Sequence, residues 1–593
     1  MAEQEEIDFE NVKVTFPDDD VKKYPKPLLL SDLQSHPSLS SPDNILIMVN
    51  GEIKSFNAKI NFGIAKVSPI KLDSYEGGAA YRRTLVQIFA TAVHKLYAKE
   101  FNVIIHHGVN NGYLAKKVDE KDFTEDEIKK IKEKMQEIIK QDLSIGQVEL
   151  SHDEALNYFN SIKHYYSASM IESNNNDTVK CSCIDKFLTL YFRPLAKSTG
   201  IIKEFDVRLS SDKNSLLLVF PTPTNELPKD LKDIERIMTM KSYAHSFQYS
   251  KRINVQCVGD FNKFVISSPA KLRELMLTMS MNQEREINLI AETLAEKVKN
   301  GKIKYIGIAG PSASGKTTFS KKLGLSLKSR GIETIVLGMD DYYKSPKDVP
   351  VDEKGVKDFE CLEALRIEDF NSDLNRIFKG EKVKRCVFDF VKGQHTYLDD
   401  DIMQLPPKES GKTGVVLCEG LHGIDPKATL TIPRDEKFYI YIAPLTPMNT
   451  DEYNYLADHV LRLYRRMIRD FRTRGRSASA SLAHMFGVAT GEEKYIFPYI
   501  DSSDLIWNSA LDYEMSVLYP FVYPLLRTVN VKDPNYYLAC YLMNTMENFL
   551  PISDEEIEKT AVLREFIGGS LFEYIILILV NLSYYLILLF KIS

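Results

Sequence analysis

Residues 305–318 read YIGIAGPSASGKTT, and this stretch decides the fold of the C-terminal half. The apolar run Tyr305–Ala309 predicts a buried strand. It leads directly into Gly310, Pro311, Ser312, Ala313, Ser314, Gly315, Lys316, Thr317 and Thr318. Beyond the loop, Phe319, Leu323, Leu325 and Leu327 recur at helical spacing, with Lys321, Lys322 and Lys328 between them. Strand, glycine-rich loop and helix in this order give a P-loop its structural context. The glycines let backbone N–H groups turn inward around phosphate oxygens, and the helix N-terminus adds positive potential. Lys316 can reach the β- and γ-phosphates, and the Thr317 hydroxyl suits the Mg²⁺ shell. These residues predict binding of a nucleoside triphosphate with Mg²⁺ to an α/β domain with a parallel sheet.

Residues 333–337 predict the next strand, which delivers Asp340 and Asp341 at its carboxyl end. Open α/β sheets place ligands there, so a carboxylate at that end can take a proton from an incoming hydroxyl. Paired aspartates are also ordinary helix caps. A third strand, 415–418, ends in Glu419, positioned to support Mg²⁺. A basic helix follows with Arg462, Arg465, Arg466, Arg469, Arg472, Arg474 and Arg476. Positions 462, 465, 466 and 469 are three or four apart and share a face. Arginine's planar fork suits phosphate, so the series predicts a phosphate-clamping lid; a solvated charged helix is the plain alternative.

The chain has 593 residues, 44% hydrophobic and 27% charged, with a formal net charge of −6. That length calls for several cores, and the balance demands neither nucleic acid nor an anionic membrane as partner. Seven scattered cysteines lack paired zinc spacing and suit reduced thiols. The acidic N-terminus is neither a signal nor a transit peptide. Residues 575–590, IILILVNLSYYLILLF from Ile575 to Phe590, have the apolar character of a short membrane span. A tail anchor, a buried terminal element and a translated stretch of AT-rich non-coding DNA are the three readings of this tail.

Composition and periodicity divide the chain into a polar, proline-punctuated leader (1–42), a small module around the hairpin signal Asn50-Gly51 (43–75), an α+β region (76–225), a connector (226–301) of two charged helices over 269–299, the P-loop domain (302–530), a helical segment (531–574) and the apolar tail (575–593). Thr124…Glu127 and Ser151…Glu154 carry capping-box patterns at the starts of two helices in the α+β region.

Residues 303–530 resemble the uridine kinase and phosphoribulokinase family of P-loop kinases. The resemblance rests on GPSASGKTT, MDDYY at 339–343, DFECLEAL at 358–365, FDFVKGQ at 388–394, VVLCEG at 415–420 and RRMIRDFRTRGR at 465–476. It implies an ATP- and Mg²⁺-dependent kinase, with uridine or cytidine as the default small-molecule acceptor. Lys316 and Thr317 would hold phosphates and Mg²⁺, Asp340 would be the general base and Glu419 a metal-side carboxylate. Arg469, Arg474 and Arg476 would serve the lid, while Tyr343, Glu360, Phe388, Phe390 and Arg466 would form the acceptor side. Two departures touch the base pocket. Phe388 stands where uridine–cytidine kinases have a tyrosine, and their base-reading histidine aligns near Gly393, one or two positions from Gln394 and His395.

Residues 44–225 resemble the N-terminal part of threonyl-tRNA synthetase, a ubiquitin-like module and an editing domain. GVNNGY at 108–113, FTEDEIKKIKEKMQEIIKQDL at 123–143, SHDEALNYF at 151–159 and KSTGIIKEFDV at 197–207 carry it. The family's two metal-type pairs fall on Arg83 and Gln87, and on Tyr191 and Leu195, so the resemblance implies a scaffold without editing chemistry or zinc. RNA binding lacks the basic, aromatic-interleaved patch it needs. The fusion as a whole is similar to long uridine-kinase-like proteins with a degenerate synthetase-like N-terminus, through GEEKYIFP at 491–498, NSALDYE at 508–514 and LREFIGGSLFEY at 563–574.

Overall fold

Alternation in the strand Asn11–Thr15 sends Val12 and Val14 inward and leaves Asn11, Lys13 and Thr15 more accessible. The computed structural model describes residues 8–222, 226–351, 355–389, 392–446 and 448–572. Within it, the expected flexible leader (1–42) is folded over 11–39. Strands Asn11–Thr15 and Val21–Pro25 join a five-stranded sheet with Ile64–Lys71, Asn44–Val49 and Glu52–Lys54. Its core takes Phe16, Leu28, Leu30, Leu33 and Leu39 from the supposed leader and Ile47, Phe56 and Val67 from the module. The few apolar residues between the prolines suffice because the neighbouring strands need them to complete a core. Asn50 and Gly51 turn the hairpin with φ of 52° and 84°, the positive values a two-residue turn requires.

The long helix Tyr75–Tyr97 packs between the strands of the α+β region. Both predicted capping boxes form: Thr124 with Glu127 opens Glu125–Lys140, and Ser151 with Glu154 opens His152–Ser161. Such caps satisfy otherwise orphaned N–H groups and contribute about 1 kcal/mol each. The two connector helices expected over 269–299 are one continuous helix, Pro269–Lys299. Its buried face enters the same core as the P-loop helix, so it is an integral layer of the C-terminal half.

That half is built on five parallel strands in the order Ile332–Gly338, Thr413–Glu419, Tyr305–Ala309, Lys437–Ala443 and Leu505–Asn508. Every residue of Tyr305–Ala309 and Lys437–Ala443 is buried, as expected for strands covered on both faces. Three neighbouring strands therefore deliver the P-loop, Asp340 and Glu419 at one carboxyl edge.

The halves interlock through residues 449–455. The Ile105 N–H donates to Glu452 O at 2.8 Å, and Asn449 Nδ2 donates to Ile105 O at 2.6 Å. The buried Glu452 carboxylate accepts from the N–H groups of Tyr166 (2.7 Å) and Ser167 (3.1 Å). Among the described residues no helix is long and apolar enough to cross a membrane; the apolar segment 575–590 lies outside them.

Candidate active site

The P-loop turns through Ala313 (φ 61°) and Gly315 (φ 90°) into the helix Lys316–Lys328. A Cβ on Gly310 would meet Ile442 O at 2.1 Å, so that position admits only glycine. Lys316 Nζ donates to the carbonyls of Gly310 (2.9 Å) and Pro311 (3.2 Å). Thr317 Oγ1 donates to Glu419 Oε1 at 2.8 Å, linking the loop to the neighbouring strand. Glu419 reaches the cleft but is otherwise enclosed. Burial pushes its carboxyl up to about 7, and the Asp340 charge adds to the rise against Lys316 and the Thr317 hydroxyl. A threonine hydroxyl and a carboxylate form an oxygen donor pair suited to Mg²⁺, which keeps several waters and binds one or two protein oxygens beside substrate phosphates.

Asp340 lies exposed on the turn Met339–Tyr342. Its neighbour Asp341 points inward, where burial raises its carboxyl to about 6 and the Phe388 N–H is 3.4 Å from Oδ1. The pair thus divides into one accessible acid and one that anchors the turn.

The arginine series also divides. Arg465 is fully buried: its guanidinium pairs with Glu514, with Nη2 to Oε2 at 2.7 Å, and Nη1 donates to Ala313 O at 3.3 Å. Arg462 is paired with Glu492, 2.6 Å on its Nη2 arm, and Arg472 donates to Phe566 O at 2.6 Å. These three, expected in the lid, fasten the helix Asp458–Arg474 to its surroundings. Arg466, Arg469, Arg474 and Arg476 instead gather around Asp470, with shortest N–O distances of 3.5, 3.0, 3.3 and 3.9 Å. Burial works to raise Asp470, but Arg469, Arg474 and Arg466 outweigh it and hold the carboxyl below its usual range. Four cations on one anion leave a net positive ring. Asp470 is the residue that sequence reasoning missed; an acid inside an arginine helix was the available signal.

The acceptor side is a hairpin, Val383–Asp389 with Gln394–Met403, that sets Phe388 opposite His395. Their ring centroids are 4.9 Å apart, and the Tyr343 ring lies 6.2 Å from that of Phe388. His395 Nε2 is buried without a hydrogen-bond partner among the described residues. An imidazole therefore returns to this wall two positions from where alignment sought it. Gly393 makes the turn possible, with φ 66° and its would-be Cβ 2.6 Å from Pro346. Burial raises the Glu360 carboxyl, while Arg466 pulls it down. Phe390 lies outside the described residues.

The C-terminal segment lies over the P-loop helix. Glu565 Oε2 accepts from Thr318 Oγ1 at 2.6 Å and from the Thr318 N–H at 3.3 Å. A Cβ on Gly315 would meet Val562 at 2.5 Å. A carboxylate thus accepts from one orphan N–H of the helix's first turn, where an anion is favoured.

Residues 305–516 match the phosphoribulokinase/uridine kinase family. The N-terminal region matches threonine–tRNA ligases: that of Thermotoga petrophila is 30% identical over 197 residues, 33% of this chain and 30% of the ligase. The Syntrophotalea carbinolica ligase is 33% identical over 156 residues, 25% of this chain and 24% of the ligase. The chain spans about 30% of the length of the first of these relatives. Among solved structures, D-glycerate 3-kinase from Cryptococcus neoformans var. grubii aligns at 13% identity and TM-score 0.21, covering 44% of this chain and 87% of that one.

Proposed function

We propose that the C-terminal half, whose match is to a kinase family, transfers the γ-phosphate of ATP to a hydroxyl of a small acceptor, uridine or cytidine by default. One observation carries this reading: Lys316, Asp340 and Glu419 stand at the ends of neighbouring parallel strands, and Glu360 feels the charges of Arg466, Asp340 and Lys316 together. Asp340 is the accessible base that takes the acceptor hydroxyl's proton as its oxygen bonds to phosphorus and the bond to the ADP oxygen breaks. Lys316 and the P-loop N–H groups hold the donor phosphates, and Arg469, Arg474 and Arg476 offset charge on the transferring group. Thr317 and Glu419 would hold Mg²⁺, which supplies charge neutralisation between phosphate oxygens when bound. Glu360 and Arg466 face the acceptor's hydroxyls, and Tyr343, Phe388 and His395 its ring.

A second reading keeps the chemistry and replaces the acceptor with another ribose- or sugar-like compound. Phe388 favours it, because a wall without that hydroxyl reads a pyrimidine less strictly. The test is ADP release across nucleosides, ribose phosphates, sugars and tRNA, with products identified by phosphorus NMR. Turnover with uridine or cytidine supports the first reading, and turnover with another small acceptor the second. Stimulation by RNA alone, with no phosphorylated product, refutes both.

A further inference from the structure

A cavity of about 1270 Å³ lies where the N-terminal half meets the helix Asp458–Arg474. It is larger than the roughly 300–1,000 Å³ typical of small-molecule sites. Its walls include Arg82, Arg83 and Gln87 from the helix Tyr75–Tyr97, the aromatic residues Tyr113, Phe220 and Tyr455, and His459. Lys316, Asp340 and Glu419 are not among its lining residues, but Ser312 and Arg466 are, so the cavity reaches the P-loop and the arginine helix at one end while Arg82, Arg83 and Gln87 line the other.

Carboxylates line it too, Asp73, Glu204 and Glu493 among them, but they do not pair with every cation. Arg193, on the same wall, pairs with Glu76 at 2.7 Å, and Arg462 pairs with Glu492. Arg82 and Arg83 have no carboxylate within 4 Å among the described residues. Arg83 uses Nε and Nη2 on Pro194 O (3.3 and 2.9 Å), which leaves Nη1 toward other partners. Arg82 rests against the Phe220 ring, 5.3 Å from its centroid. Burial, followed by the charge of Arg193, lowers Arg83 to about 9, so it remains a cation at neutral pH. Holding the desolvated Arg83 without a carboxylate partner is costly unless an anion accompanies it.

Two further groups point the same way. Gln87 is 5% exposed and lines the cavity, and its Nε2 has no acceptor among the described residues, while its Oε1 is occupied by Thr189 Oγ1. His459 is accessible from the cavity although it lies deep in the molecule. Burial and then the fields of Arg462, Arg193 and Arg82 drive it down to about 4. Its Arg82–Gln87 end therefore offers two cations without a carboxylate partner and an unused amide donor, with a neutral imidazole elsewhere on the wall.

Beside the arginines, the Tyr113 ring lies 5.3 Å from Phe220 and 5.5 Å from Tyr455, centroid to centroid. Phosphate matches the guanidinium forks, and clustered aromatic faces suit a flat ring. We propose that this cavity binds a phosphorylated nucleoside, its phosphate on Arg82, Arg83 and the Gln87 amide and its base among Tyr113, Phe220 and Tyr455. The Arg462 Nη1 contact to Ser312 O at 3.5 Å places the far wall of the site against the P-loop.

Hydrogen exchange of the full chain, with and without excess adenosine 5′-monophosphate, tests the site. Protection is expected over 79–87, 109–113 and 453–459, beyond any seen at 310–318. Protection confined to 310–318, or absent, overturns the proposal, and equal protection by inorganic phosphate overturns the nucleoside class. Arg83→Met is expected to abolish the cavity protection while leaving that at 310–318. Should that variant fold poorly, Arg82→Gln, which removes only a ring contact, is expected to weaken binding at least about tenfold, the cost of a lost charge-assisted hydrogen bond. Unchanged affinity in Arg82→Gln overturns the assignment.

Discussion

The two walls of the candidate active site are made in different ways. The donor wall is mostly backbone: P-loop N–H groups and the ends of three neighbouring parallel strands, with one lysine and two acids added. The acceptor wall is mostly side chain, with Phe388 and His395 set opposite each other by a hairpin and Tyr343 reaching across from the turn after another strand. A backbone cradle constrains its sequence tightly, because Gly310 and Gly315 tolerate no Cβ. A side-chain wall can move its imidazole by two positions and keep its place in space. The chemistry is accordingly better defined here than the acceptor.

The largest effect should separate the walls. Asp340→Asn is expected to lower kcat by about 10²–10⁴, the range of general-base catalysis, with the ATP Kd unchanged. Near-normal turnover in that variant would show that Asp340 is not the base. Lys316→Ala is expected to damage the donor wall instead, lowering kcat/KM for ATP by about 10²–10³ in steady-state kinetics. On the acceptor wall, His395→Ala should raise the nucleoside KM about tenfold, equivalent to a buried hydrogen bond or ring contact, and spare the ATP KM. If both KM values move together, the hairpin positions the whole cleft rather than the acceptor.

Glu565 offers a test with the opposite sign. A triphosphate bound as proposed would compete with its carboxylate for the Thr318 N–H and hydroxyl. Glu565→Gln should tighten ATP binding by up to about tenfold in calorimetry; weaker binding would make Glu565 part of the nucleotide site. The smallest effect is in pH. Burial raises Glu419 from its usual 4.5 to about 7. Below pH 4.5 the carboxyl is protonated in both the folded and the unfolded chain. Between 4.5 and 7 only the unfolded chain releases the proton, so the contribution to stability disappears as pH rises through 7. Glu419→Gln should therefore flatten the fall in Tm between pH 5 and 8 without Mg²⁺; an unaltered slope would place the titration elsewhere.

The sequence made the P-loop strand legible to the residue, because Tyr305–Ala309 is uniformly apolar and ends at a glycine. Both capping boxes were equally visible, since their partners lie three residues apart. The leader was misread for a related reason. Val12, Val14 and Phe16 alternate correctly, but their partners come from 28–67 and no local window holds them together. The arginine helix shows the same limit. Its shared face was plain, but only the fold reveals that Arg465 belongs to Glu514 and Arg462 to Glu492. Spacing within an element was readable, whereas pairing between elements was not.

The segment 449–455 gives the molecule its mechanical character. Burial raises Glu452 to about 7, and that carboxylate is held by N–H groups of Tyr166 and Ser167 nearly three hundred positions away in the chain. A chain cut before residue 302 would lose those donors together with the helix Pro269–Lys299, exposing an acid and an apolar face at once. The two halves are therefore expected to unfold as one cooperative unit, although each resembles a different family. Heating should melt them in a single transition, and either half expressed alone should unfold at a lower temperature than the full chain.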